Sequence, residues 1–168
     1  GEVLGYGLTN DANHMTAPRS DGMSAAQAMR LALREAAVPP EAIGYIHAHG
    51  SGTPRNDPAE TEAIKRVFGE RAYAIPVSST KPMHAHPFGA TGAIETAICC
   101  LAFQHAYLPP TINYATPDPA CDLDYLPNCG RQTSVQYILK NSFGFGGINA
   151  SLVLGRSPEV ATTPEPTL

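Results

Sequence analysis

Tryptophan is missing from this 168-residue chain and charge is scarce: Lys, Arg, Asp and Glu make up only 15%, against about 25% in an ordinary soluble domain. With 43% hydrophobic residues, that shortage argues against disorder and implies unusually extensive burial, including burial against a partner. A basic excess is lacking too. Eleven Lys and Arg face 15 Asp and Glu, net −4 with a pI of about 5.8, so a nucleic-acid-binding face is disfavoured. No apolar run reaches the roughly 20 residues of a membrane span. The four cysteines, Cys99, Cys100, Cys121 and Cys129, contain no CxxC pair, and a vicinal pair makes a poor disulfide framework. Reduced cytosolic thiols are the expectation. Residues 1–6 also lack the basic-then-apolar order of a signal peptide. They read as a strand entered without a leader, as in a chain cut from something longer.

What is present alternates between strand and helix patterns, which implies an α/β layered fold. Gly1–Leu8 reads as a strand, and a polar loop follows to Asp21. Ser24 and Gln27 have capping-box spacing, and Ala25, Ala28, Met29, Ala32, Leu33 and Ala36 recur at helical intervals. Ile43–His49 reads as a strand with Tyr45, His47 and His49 on one face. Asp57 then serves as the expected N-cap of a helix with Pro58 at its first position and Gly69 after its end. Tyr73–Ser79 reads as a third strand. In the helical stretch Phe88–Ala106 the only formal charge is Glu95, and a helix apolar all round is expected to be buried on every side. Pro109–Asn128 is a long loop whose length suggests function or an interface. Two strand-like runs, Thr133–Asn141 and Ile148–Leu154, flank a Gly-rich turn, and residues 157–168 read as a mobile Pro/Thr tail beyond a domain at 1–156.

Histidine placement carries the most chemistry. Four of the six histidines lie in two tripeptides, His47-Ala48-His49 and His84-Ala85-His86. Two imidazoles converging on one volume could act as N–H donors to a developing oxyanion. Two such pairs could equally hold a transition metal, or the rings could be satisfied core residues. Lys81 is by default a surface lysine. Glu95, a lone carboxylate in an apolar helix, must be paired or protonated. Phe143-Gly144-Phe145-Gly146-Gly147 is a tight turn or a movable gate.

Several stretches together strongly resemble the C-terminal half of elongating β-ketoacyl-acyl carrier protein synthases. They are residues 47–54 (His-Ala-His-Gly-Ser-Gly-Thr-Pro), 78–86 (Ser-Ser-Thr-Lys-Pro-Met-His-Ala-His), 89–95, 109–113 and 141–147. The resemblance implies an α/β fold, half of a thiolase-like architecture, with a mixed five-stranded sheet and helices on both faces. It implies a decarboxylative Claisen condensation in fatty acid or polyketide building. His49 and His86 would be the catalytic histidines, supported by Lys81 and Glu95. Thr16, Ser51 and Thr53 would hold the phosphopantetheine arm, with Phe143 and Phe145 beside the acyl group. The nucleophilic cysteine would lie in an N-terminal half absent from this chain, so this chain alone is expected to be inactive. Expected partners are that half and acyl carrier protein, in a dimer of the complete fold, with no membrane, nucleic acid, metal or separate cofactor. The expected location is the cytoplasm, or the plastid stroma or mitochondrial matrix.

The chain departs from the usual pattern at His84, Ala85 and Pro87. His47 stands where Asn is usual, close to a monovalent-cation site of some relatives, which puts cation binding through Asn141, Ser142 and Glu95 in doubt. A non-catalytic, chain-length-setting partner subunit and a metal-binding protein using both histidine pairs are the alternatives.

Overall fold

Strands buried on both faces build the centre of the molecule. The computed structural model describes residues 1–157. The expected tail lies outside the described residues, apart from Ser157. Strand β1 (Glu2–Asn10) leads to helix α1 (Met23–Glu35), strand β2 (Ile43–His47), helix α2 (Asn56–Phe68) and the two-residue strand β3 (Val77–Ser78). A short helix α3 (Lys81–His84), helix α4 (Thr91–His105) and a small ribbon of β4 (Tyr107–Leu108) with β5 (Arg131–Gln132) follow, and β6 (Tyr137–Gly144) and β7 (Ile148–Gly155) close the fold.

The main sheet runs β1-β7-β6-β2-β3. Its first two pairings are antiparallel and its last two parallel. Ile46, Leu139 and Val153 meet α1 and α2 on one face, while Tyr45, Ile138 and Leu154 meet α4 on the other. The expected mixed five-stranded sheet with helices on both faces is therefore the observed one. Helix α1 lies directly on β1 because Gly5 and Gly7 have no side chains. A Cβ at Gly5 would sit 2.5 Å from the Ala36 nitrogen, and one at Gly7 would collide with the Ala28 carbonyl.

Several local expectations need correction. Helix α1 begins at Met23, so Ser24 lies inside its first turn rather than capping it. Gly22 stands at the N-cap with φ 62°, and Asp21 just before it accepts the Met23 N–H at 3.1 Å. Helix α2 likewise begins at Asn56, before the expected cap Asp57. The third strand shrinks to Val77–Ser78, because Gly69–Ala74 coils into a 3-10 helix. Helix α4 buries only the stripe of Thr91, Glu95, Cys99, Ala102 and Phe103, leaving Ile94 and Leu101 exposed. Within the described residues no second layer covers its outer side.

Candidate active site

The loops at the carboxyl ends of β2 and β3 carry the histidines. Strand β2 ends at His47, so His49 leaves the face shared by Tyr45 and His47, contrary to the one-face expectation. Its ring instead meets His86, with centroids 5.3 Å apart and planes at 75°, and Phe143 at 5.6 Å. The two tripeptides thus separate by role. His47 and His84 meet through one hydroxyl, with Thr80 Oγ1 3.1 Å from His47 Nε2 and 3.0 Å from His84 Nε2. The four rings do not converge on one point, and among the described residues no three His, Cys, Asp or Glu are grouped to hold a metal ion.

The His49 backbone is clamped at both ends. Its N–H donates to Glu60 Oε1 at 2.9 Å, and its carbonyl accepts from the Lys81 ammonium. Glu60 comes from α2 and also accepts the Gly50 N–H at 2.9 Å and the Asn141 amide at 3.0 Å. Burial raises the Glu60 carboxyl above its ordinary range, and those donors oppose the rise. Behind the clamp, Glu95 is fully buried on α4. Lys81 Nζ reaches its Oε1 at 2.5 Å, and Lys140 Nζ lies 3.0 Å from Oε2 as an ion pair. Lys81 is therefore no surface lysine; it is 5% exposed.

The surroundings of both candidate histidines favour the neutral ring. Burial, then the nearby Lys81, lowers His49 to about 3. His86 is lowered in the same direction for the same causes. The tautomer of His86 follows from its neighbours. The Phe88 backbone N–H donates to Nδ1 at 3.3 Å, so Nδ1 is an acceptor and the proton sits on Nε2. Thr91 Oγ1 lies 2.9 Å from the same Nδ1 and can donate to it as well.

Ala85 makes this arrangement possible at a conformational cost. It adopts φ 64°, ψ −172°, a region that is essentially glycine-only. The reversal sends His84 back to Thr80 and His86 forward to His49.

These rings open on a cavity of about 860 Å³ whose wall includes Thr16, Ser51, Thr53, Phe143 and Phe145. Every expected substrate-contacting residue thus lines one space with both histidines. A second cavity of about 730 Å³ lies across the 50–54 loop and shares Ser51, Thr53, Pro54 and His86 with the first. Phe145 is 73% exposed. Its turn is tied down by Gly146, whose N–H donates to the Met15 carbonyl at 2.7 Å, and by Asn10, which donates to the Gly146 carbonyl at 2.9 Å. Cys99 is fully buried, and burial pushes its thiol far up, away from nucleophilic use.

The sequence assigns no site role to Glu60, Thr80, Thr91 or Lys140, although Glu60 stands at the third position of the expected helix and Thr80 and Thr91 lie within the motif stretches. Lys140 carried a usable signal, being a lone charge after Tyr137-Ile138-Leu139. Glu60 carried none, since an acid in the first turns of a helix reads as a partner of the helix dipole.

Residues 1–115 match the family model described as the C-terminal domain of beta-ketoacyl synthase. The 3-oxoacyl-[acyl-carrier-protein] synthase 2 of Coxiella burnetii is 48% identical over 155 residues, which cover 92% of this chain and 37% of that protein. The granaticin polyketide putative beta-ketoacyl synthase 1 of Streptomyces violaceoruber is 49% identical, covering 95% of this chain and 38% of that one. Among solved structures, a type II polyketide ketosynthase in complex with its acyl-carrier protein superposes with a TM-score of 0.91 at 45% identity, over 93% of this chain and 38% of its own. The chain thus spans under two-fifths of the length of these relatives.

Proposed function

The chain belongs to the β-ketoacyl synthase family through its C-terminal domain, and from that premise we propose that it supplies the two-histidine half of a condensing site. The observation that carries this reading is the pair of imidazoles with ring centroids 5.3 Å apart on a hydroxyl-lined cavity. In the reaction, the bond between the malonyl methylene carbon and its carboxylate breaks and carbon dioxide leaves. The electron pair passes onto the thioester carbonyl as an enolate. His86 Nε2–H and His49 donate to that oxygen as its charge develops, which only neutral, pre-aimed donors do without a reorganisation cost. The enolate carbon then attacks an acyl thioester held on a cysteine of the other half, and the cysteine thiolate is released. Thr16, Ser51 and Thr53 hold the pantetheine arm of a carrier protein, while Phe143 and Phe145 border the acyl group. Lys81 and Glu95 act through the His49 backbone and are positioning residues.

Retention of both histidines favours this catalytic reading over a chain-length-setting subunit. The test is elongation of an acyl chain from malonyl-carrier protein, followed by mass spectrometry, with this chain alone and with the rest of the synthase. Product is expected only from the assembled protein, and His49→Ala or His86→Ala is expected to lower its rate at least about a hundredfold. Carrier-protein binding without product in the assembled wild type would instead identify a chain-length or docking subunit.

A further inference from the structure

Lys140 is 1% exposed at the centre of the sheet, where an unpaired ammonium is heavily penalised. Its surroundings explain its presence. From α4 it faces Glu95 and the neutral thiol of Cys99, from the start of α3 it faces Lys81, and from β2 it faces His47. On its own strand it donates to Ser142 Oγ.

Glu95, Asn141 and Ser142 are the groups this family resemblance offers to a monovalent cation, and in this chain each is engaged. Both Glu95 oxygens face ammonium groups. Asn141 spends its amide on Glu60 and its oxygen on the Ser151 hydroxyl at 2.8 Å, and Ser142 Oγ accepts from Lys140. Two ammonium groups already overbalance the Glu95 charge, so a further cation would be repelled where screening is weak. The residues present therefore do not fit a metal ion. We infer that Lys140 is a resident cation: its ammonium replaces a bound monovalent metal beside Glu95, and the site neither holds nor needs one. The charge assignment rests on geometry alone. Its consequence, that Lys140 positions Glu95 and Lys81 behind His49, rests on the reading above.

The test compares the intact synthase carrying this chain in KCl and in tetramethylammonium chloride at equal ionic strength. Thermal unfolding and malonyl-carrier protein decarboxylation are both measured. The wild type is expected to show the same Tm and the same rate in the two salts. Lys140→Ser leaves a polar hole beside Glu95, and potassium is expected to raise its Tm by a few degrees and its rate about tenfold. Lys140→Met fills the hole without charge and is expected to gain nothing from potassium.

A potassium-dependent wild type would overturn the inference, as would a folded Lys140→Ser that ignores potassium. If the serine variant does not fold, the wild-type comparison alone decides. A wild type that never decarboxylates would remove the functional reading, while the Tm comparison would still decide the role of Lys140.

Discussion

At the scale of single residues, the geometry of the site depends on groups behind its two histidines. Glu60 makes its hydrogen bonds as a carboxylate with two acceptor oxygens. In Glu60→Gln one of those oxygens becomes an NH₂ facing the His49 or Gly50 N–H. Two donors facing each other leave both unsatisfied, so the variant is expected to lose about 2–3 kcal/mol of stability, read by denaturant unfolding. A loss below about 0.5 kcal/mol would show that the clamp contributes little. Ala85 offers the opposite case. Its backbone region costs an alanine about 1–3 kcal/mol, whereas glycine costs about 0.4–1 kcal/mol more in unfolded-state entropy. Ala85→Gly is therefore expected to stabilise the protein by about 1 kcal/mol, seen as a higher denaturant midpoint at unchanged slope. From the sequence, the identity of His49 and His86 as a pair was legible only through the family resemblance. The tripeptides themselves suggested the wrong neighbours, because a strand that ends between His47 and His49 cancels the alternation that would keep them together.

Elements read more clearly than side chains. The period of α1 is visible because the helix buries one face against a single layer, and such a face imprints directly on residue order, while α2 is visible through its end signals. Strand β3 is not, since its partner strand and not its own composition sets its length. Helix α4 was visible as apolar all round, yet the covering on its outer side comes from no described part of this chain. The contact of α1 on β1 gives the element-scale prediction. In Gly7→Val the new side chain must displace the Ala28 turn of α1. A loss of about 3 kcal/mol or more is expected from overpacking against backbone, with α1 amides exchanging hydrogen fastest. Native-like exchange in α1 would contradict the close approach.

At the scale of the whole molecule, buried imidazoles govern the response to acid. His47 and His49 are both lowered to about 3 by burial and the neighbouring lysines, while an unfolded histidine titrates near 6.5. The unfolded chain therefore gains protons that the folded one refuses as pH falls from about 6.5 towards 3. Stability is lost over that window at up to about 1.4 kcal/mol per pH unit for each ring. Glu60, raised in the fold, acts with the opposite sign and offsets part of the loss near the ordinary carboxylate range. Denaturant midpoints of wild type and His47→Asn between pH 7 and pH 5 test this, and the variant is expected to show the shallower fall. Parallel slopes would mean that His47 accepts a proton in the native state. The scarce charge noted in the sequence has its counterpart at the same scale. Val3, Tyr6, Leu8, Ile94, Leu101 and Ile148 are large apolar side chains left exposed among the described residues.

The two-ended clamp on His49 has a consequence for how such a site can change over time. With its nitrogen held from α2 and its oxygen from Lys81, the residue keeps only its side-chain torsions as adjustable parameters. Thr16 and Phe145 line the same cavity from loops tied to each other through Gly146 and Met15, and they share no hydrogen bond with that clamp. The backbone position of His49 is thereby set independently of that part of the wall, so substitutions there are expected to reshape the cavity while leaving the His49 backbone in place.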